Sequence, residues 1–247
     1  MVKEVERHNP SVVALARDNL RLSLEGDAAR VLAGWGTTTR EEEPAYSALF
    51  DRGELDAAVR GMGKGKAPGW DGIPHECLKA MGEDGRTMLL GVINALWVAE
   101  DVPPCWKEGI LCPIPKTGDP SRIANLRPVC LLVAMGKLLE AMVGERAKCI
   151  LDGPTRKRLT NATMGFRGAA RATQCVLRLT QAVEEAWARK RDLLCVMMDV
   201  EGAFDILRPE LMPLKLQALG FRGRMARFLC NYVKGRTARV RMGGGHV

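Results

Sequence analysis

Hydrophobic and polar positions along the chain fall into several distinct patterns. From Met88 to Ala99, MLLGVINALWVA places Leu89, Ile93, Leu96 and Trp97 on one face, which predicts an apolar helix ended by Pro103-Pro104. Ile110 to Ile114 is a short apolar run closed by Pro115-Lys116 and predicts a strand. Gly136 to Leu151 predicts an amphipathic helix, with Leu138, Leu139, Met142 and Cys149 inward and Lys137, Glu140, Glu145, Arg146 and Lys148 largely outward; Gly153-Pro154 stops it. Behind a Thr173 cap, Cys175, Val176, Leu179, Ala182, Val183, Ala186 and Trp187 form one stripe and predict a core helix. Leu193 to Met198 is six consecutive apolar residues ending at Asp199, the pattern of a strand buried on both faces.

Weaker patterns fill the rest. Leu55 and Val59 sit at helical spacing, and Pro209 to Gly220 reads as a helix whose first turn Pro213 shortens. Helix continues through Phe228 to Tyr232, and TARVRM at 237–242 alternates as a strand with Arg239 and Arg241 on one face. Residues 1–50 contain the helical pieces VVALARDNLRLSL and AARVLAGW and then a polar break from Thr37 to Pro44, and are read as an N-terminal extension or linker. Together these elements predict a mixed α/β chain of the α+β kind.

Charge sharpens the picture. The net +8 of these 247 residues is uneven: residues 1–100 carry 12 Lys+Arg against 16 Asp+Glu, and residues 101–247 carry 25 against 13. A cationic excess confined to one region is the footprint of a phosphate backbone, although a solvated basic surface gives the same count. Five Phe, five Trp and two Tyr are too few for an RNA-recognition sheet built on stacked aromatics. The eight cysteines lack metal-ligand spacing, and several stand in apolar runs as core thiols do, which points to a reducing compartment. No apolar span of about eighteen residues and no secretory pattern is present, so neither membrane insertion nor export is expected.

Candidate chemistry centres on Asp199. A carboxylate at a strand end is costly to bury without a cation, and a metal ion is the commonest such partner; a plain helix cap is the competing reading. A haloacid-dehalogenase arrangement would want a second Asp two residues on, where Glu201 stands. Lys116 and Arg127 flank a polar loop and could clamp a triphosphate or make ordinary salt bridges. In KGKAPGWDGIPHECLK, from Lys64 to Lys79, Lys64 and Lys66 among glycines could meet phosphates, but no Gly-Lys-Ser/Thr follows, and on spacing alone a surface turn is the better reading. Arg167, after Gly165-Phe166, could reach a phosphate or form an exposed ion pair.

Four blocks in order, KAPGWDGIP, PIPKTGDP...NLRPVCLLVAMGKLLE, GFRGAARAT and the apolar run ending DVEGAFD, resemble the reverse transcriptase domain of non-LTR (LINE-type) retrotransposons of the insect kind. Trp70 stands where that family usually has Pro, and Asn125-Leu126 where it has Ser/Ala-Tyr. The resemblance implies a right-hand polymerase fold, with helix-rich fingers over residues 51–190 and the beginning of a palm sheet over 191–247. It stops near Met242, before the family's PQGS block, Asp-Asp turn and thumb. It further implies that Asp199, with the carbonyl of Val200, binds magnesium, two ions serving the complete enzyme, and that Asp205 caps the next helix. Phe204 would discriminate the ribose, Lys116 and Arg127 would bind the triphosphate, and Lys64, Lys66, Arg167 and Arg171 would meet nucleic acid. The implied partners are an RNA template, a DNA primer or target, deoxynucleoside triphosphates and the remainder of a retroelement polyprotein, in the nucleus after a cytoplasmic ribonucleoprotein stage. A catalytically inactive nucleic-acid-binding remnant of such an element is the alternative.

Overall fold

The computed structural model describes residues 26, 27, 29–31, 33, 44–119, 121–152, 172–199 and 207–241. The chain divides into two compact units, one of residues 1–146 with 209–247 and one of residues 147–208. The described elements of the first are α1 (Pro44–Ser47), α2 (Arg52–Gly61), α3 (His75–Lys79), α4 (Glu83–Ala99), α5 (Pro104–Lys107), β1 (Glu108–Pro115), β2 (Leu126–Leu131), α6 (Ala134–Asp152, through Arg146), α8 (Met212–Ala218), α9 (Gly223–Val233) and β3 (Thr237–Val240); α7 (Ala172–Ala188) lies in the second. Helices and a small three-stranded sheet make a mixed α/β architecture.

The core of the first unit forms around α4, whose Leu89, Ile93 and Trp97 recur every four residues and are buried. Trp97 is fully enclosed, with Phe50 at 5.1 Å and Phe228 of α9 at 5.2 Å between ring centroids. Its indole N–H donates to the Ala48 carbonyl at 3.0 Å, so the one polar atom of the ring is satisfied. Leu138, Leu139 and Met142 of α6 and Leu55 and Val59 of α2 complete the layer. Asp51 opens α2 with a reciprocal capping box: its side chain accepts from the Glu54 amide at 2.8 Å, and Glu54 accepts from the Asp51 amide at 3.0 Å.

The sheet has the order β2-β1-β3. β1 and β2 form an antiparallel hairpin registered from Ile110 opposite Leu131 to Pro115 opposite Leu126, and β3 runs parallel to β1 with Glu108 beside Thr237 and Leu111 beside Val240. The turn of the hairpin is set by Asp119, whose carboxylate accepts from the Ser121 amide at 2.9 Å and the Ser121 hydroxyl at 2.8 Å. Those bonds, the amide's first, hold the Asp119 carboxyl below its ordinary range.

Several expectations are corrected. Leu193 to Met198 has no regular secondary structure and is open to solvent, with Leu194 at 90% and Met198 at 91% exposure. An apolar run becomes a buried strand only where neighbouring strands pair with its backbone, and among the described residues none does so. The α7 helix forms close to its predicted bounds, yet Val176 and Trp187 of its stripe are exposed, because no described element of the second unit covers them. All eight cysteines are free thiols; Cys230 is buried, Cys112 half-buried and the remaining six, Cys149 included, exposed. Burial pushes the Cys230 thiol up to about 11, which makes it inert as a nucleophile near neutrality. Arg146, expected outward, is 7% exposed.

Candidate functional site

The register of the β1–β2 hairpin brings Lys116 and Arg127 together. Directly opposed residues of an antiparallel pair share a face, so Ile114 and Arg127 stand on the same side. The Lys116 amide donates to the Asn125 carbonyl at 2.7 Å, which carries the pairing one step beyond β1 and puts Lys116 on that side too. The two cations are therefore diagonal neighbours, about 7–8 Å apart at the backbone, with half-exposed Ile114 between them. Both side chains are exposed, and a guanidinium fork and an ammonium at that spacing can grip neighbouring phosphates from one side.

The same face continues onto β3. Parallel partners also share a face, so Arg239, beside Ile110, and Arg241, whose amide donates to the Leu111 carbonyl at 2.9 Å, stand with Lys116 and Arg127. Arg239 is 64% exposed and its Nε pairs with Glu108, which lies on that face as well. Sequence alternation places the two arginines on one side of a strand; which strand lies beside it is a non-local fact that no local pattern carries.

The glycine–lysine block serves a scaffolding purpose. The Gly65 amide donates to Glu76 Oε1 at 2.7 Å, and His75 Nδ1 donates to the Gly63 carbonyl at 2.9 Å, the tautomer being fixed by a carbonyl that only accepts. The Gly65 amide is thus committed to the protein rather than offered to a phosphate, while Lys64 and Lys66 remain exposed. Pro68-Gly69 docks against the chain beyond β2: a Cβ on Gly69 would lie 2.6 Å from the Val133 nitrogen and 2.7 Å from the Leu132 carbonyl carbon. Trp70 secures the same loop, its indole donating to the Cys105 carbonyl at 2.8 Å. This block fixes where the hairpin springs from the helical core.

Asp199 is exposed and belongs to the second unit, whereas Lys116, Arg127, Lys64 and Lys66 belong to the first. Val200, Phe204, Asp205, Arg167 and Arg171 lie outside the described residues. Among the described residues no group of three or more His, Cys, Asp or Glu side chains could hold a metal ion, so Asp199 does not by itself fit a two-ion centre. No described helix is long and apolar enough to cross a membrane.

No protein-family model matches the chain. It is 29% identical over 153 residues to the "Probable RNA-directed DNA polymerase from transposon BS" of Drosophila melanogaster, which covers 62% of this chain and 17% of that protein. It is 28% identical over 159 residues to the "Probable RNA-directed DNA polymerase from transposon X-element" of the same fly, covering 63% and 17%. A "Retrovirus-related Pol polyprotein from type-1 retrotransposable element R2" of Popillia japonica is 24% identical over 195 residues, covering 78% of this chain and 26% of the polyprotein. The chain is thus similar to non-LTR retrotransposon polymerases, and its match to the two fly proteins spans about a sixth of their length.

Proposed function

We propose that the chain is part of the RNA-directed DNA polymerase of a non-LTR retrotransposon, contributing helix-rich fingers and the first part of a palm to a right-hand polymerase fold. The observation that carries this reading is the co-facial placement of Lys116 and Arg127 on the β1–β2 hairpin, in a chain similar to such polymerases. On this reading the pair binds the triphosphate of an incoming deoxynucleotide, Arg by a bidentate fork and Lys as a point charge. Phe204 discriminates the ribose, and Lys64, Lys66, Arg167 and Arg171 meet the nucleic acid.

Asp199, with the Val200 carbonyl, is the residue assigned to magnesium. One carboxylate cannot hold two ions, so catalysis requires further carboxylates from outside the described residues, and no transfer step is derived for this chain alone. The remaining partners would be an RNA template, a DNA primer or target and the rest of a retroelement polyprotein, meeting in the nucleus after a cytoplasmic ribonucleoprotein stage.

Primer extension on an RNA template tests the reading. The 247-residue chain is expected to be inactive by itself, and the polyprotein containing it to be active. In that polyprotein Asp199→Asn, which keeps size and removes charge, should abolish synthesis while RNA binding survives. Synthesis persisting near normal in Asp199→Asn would overturn the assignment. An inactive polyprotein that still bound RNA would favour a binding remnant without chemistry.

A further inference from the structure

We infer that the basic face of the three-stranded sheet is a track for single-stranded RNA, along which Arg239 and Arg241 of the β3 segment extend the footprint of Lys116 and Arg127. The inference rests on the polymerase reading in taking Lys116 and Arg127 as phosphate-binding groups; it adds a second pair of cations and, beside the nucleotide, a polymer that the same face can hold. The strands of a sheet lie about 4.8 Å apart, so Arg127 on β2 and the Arg241 end of β3 are about 10 Å apart across the sheet. From Lys116 back to the level of Arg241 is four residues of β1, about 13 Å along the strand. Four cations spread over such an area suit a run of phosphates better than one triphosphate, whose charge the hairpin pair already spans.

What lies between the cations sets the kind of recognition. The alternation places Ile110, Cys112, Ile114, Val129 and Leu131 on this face, Ile110 buried and Ile114 exposed, and no aromatic side chain of the strands, so bases have no strand ring to stack on. Contacts to the phosphate backbone then dominate, which makes binding indifferent to base sequence and steeply dependent on salt.

Glu108 is the one carboxylate among the strand residues of the sheet, and it holds Arg239. An incoming phosphate must therefore compete with Glu108 for that guanidinium. The pair tempers affinity at one end of the track without closing it, since Arg239 stays largely exposed.

Fluorescence anisotropy of a labelled single-stranded oligoribonucleotide, titrated with the full 247-residue chain at several KCl concentrations, tests this. Removing two phosphate contacts in the double variant R239Q/R241Q should flatten the slope of log K against log salt by about 1.4, at about 0.7 per contact on a single strand. E108Q should bind RNA more tightly, by roughly two- to fivefold, as expected for freeing an exposed ion pair. That gain cannot arise from misfolding. A slope in R239Q/R241Q equal to that of the unaltered chain, with K116Q/R127Q flattening it, would overturn the track and leave the polymerase reading intact. Absence of synthesis by the polyprotein, with the slope flattened in R239Q/R241Q, would count against the polymerase reading and leave the track standing.

Discussion

The buried Arg146 of α6 spends all five of its N–H donors on protein acceptors, and Glu54 of α2 takes two of them. Nε and one terminal nitrogen reach the Glu54 carboxylate at 2.7 Å each, while the remaining donors bind the carbonyls of Tyr46, Ala48 and Leu49 at 3.3, 2.6 and 3.0 Å. The guanidinium also lies 3.9 Å from the Phe50 ring centre. One side chain thereby joins α6, the cap of α2 and the segment leading into it. Because no other residue offers five donors in a planar fork, Arg146→Met should destabilise the chain by about 3 kcal/mol. Thermal melting should fall by roughly 6–12 °C, and Arg146→Lys should recover only part of that loss.

Gly69 and Gly91 give opposite expectations for the same substitution. At Gly69 an added methyl would meet the backbone of residues 132–133, which cannot move aside as a flexible side chain would, so Gly69→Ala should cost about 1–3 kcal/mol. At Gly91, inside α4, nothing lies within 4 Å of where a Cβ would stand, so Gly91→Ala should add about 0.5–1 kcal/mol of stability. Chemical denaturation midpoints of the two variants should move in opposite directions.

Acid should loosen the glycine–lysine loop before the core. The Gly65 amide, bonded to Glu76, is the first cause of a Glu76 pKa held below its ordinary value. A depressed carboxylate contributes stability that is complete above its unfolded pKa and is lost as pH falls through the lower folded value. Amide exchange at Gly65, compared with that of Ile93 at each pH, should accelerate only in that acid window. Glu76→Gln should abolish the pH dependence of the difference.

Leu194, Met197 and Met198, each 90–91% exposed, form an apolar surface that contributes nothing to the described core. Replacing all three with Ser should leave the melting temperature of the chain within about 1 °C, because surface substitutions of this kind change stability little. The same variant should remain monomeric to higher concentration by light scattering. A large drop in melting temperature would show that the segment is packed in solution.

Sequence periodicity reads what is local. Leu138, Leu139 and Met142 turn inward as their spacing predicts, and the helix boundaries around Pro103 and Pro213 follow from proline chemistry. Arg146 occupies a position that charge alone assigns to solvent, and its burial depends on Glu54 and three carbonyls about a hundred positions earlier, which no periodicity can register. Lys116 and Arg127 are legible as a pair because a short loop joins them. Arg239 and Arg241 are legible only as strand residues, since their neighbour β1 is distant in sequence. Leu193 to Met198 shows the converse: apolar content favours a strand, but pairing requires partners that local sequence cannot provide.

The first unit is assembled from two stretches of chain, and its seam lies at Glu100. Arg227 grips the Glu100 carboxylate through two bonds of 2.6 Å, and Asn231 binds the Glu100 carbonyl at 3.0 Å, across 127 and 131 positions. A ribosome adding about 5–20 residues per second needs roughly 6–25 s to cover that separation. Throughout that interval the nascent protein lacks Phe228, so the Trp97 cluster has one side open, and β1 lacks the strand that later flanks it. Nascent chains arrested before residue 222 should therefore recruit chaperones and be cut readily by protease in the helical core, and release of the α9 segment should end both.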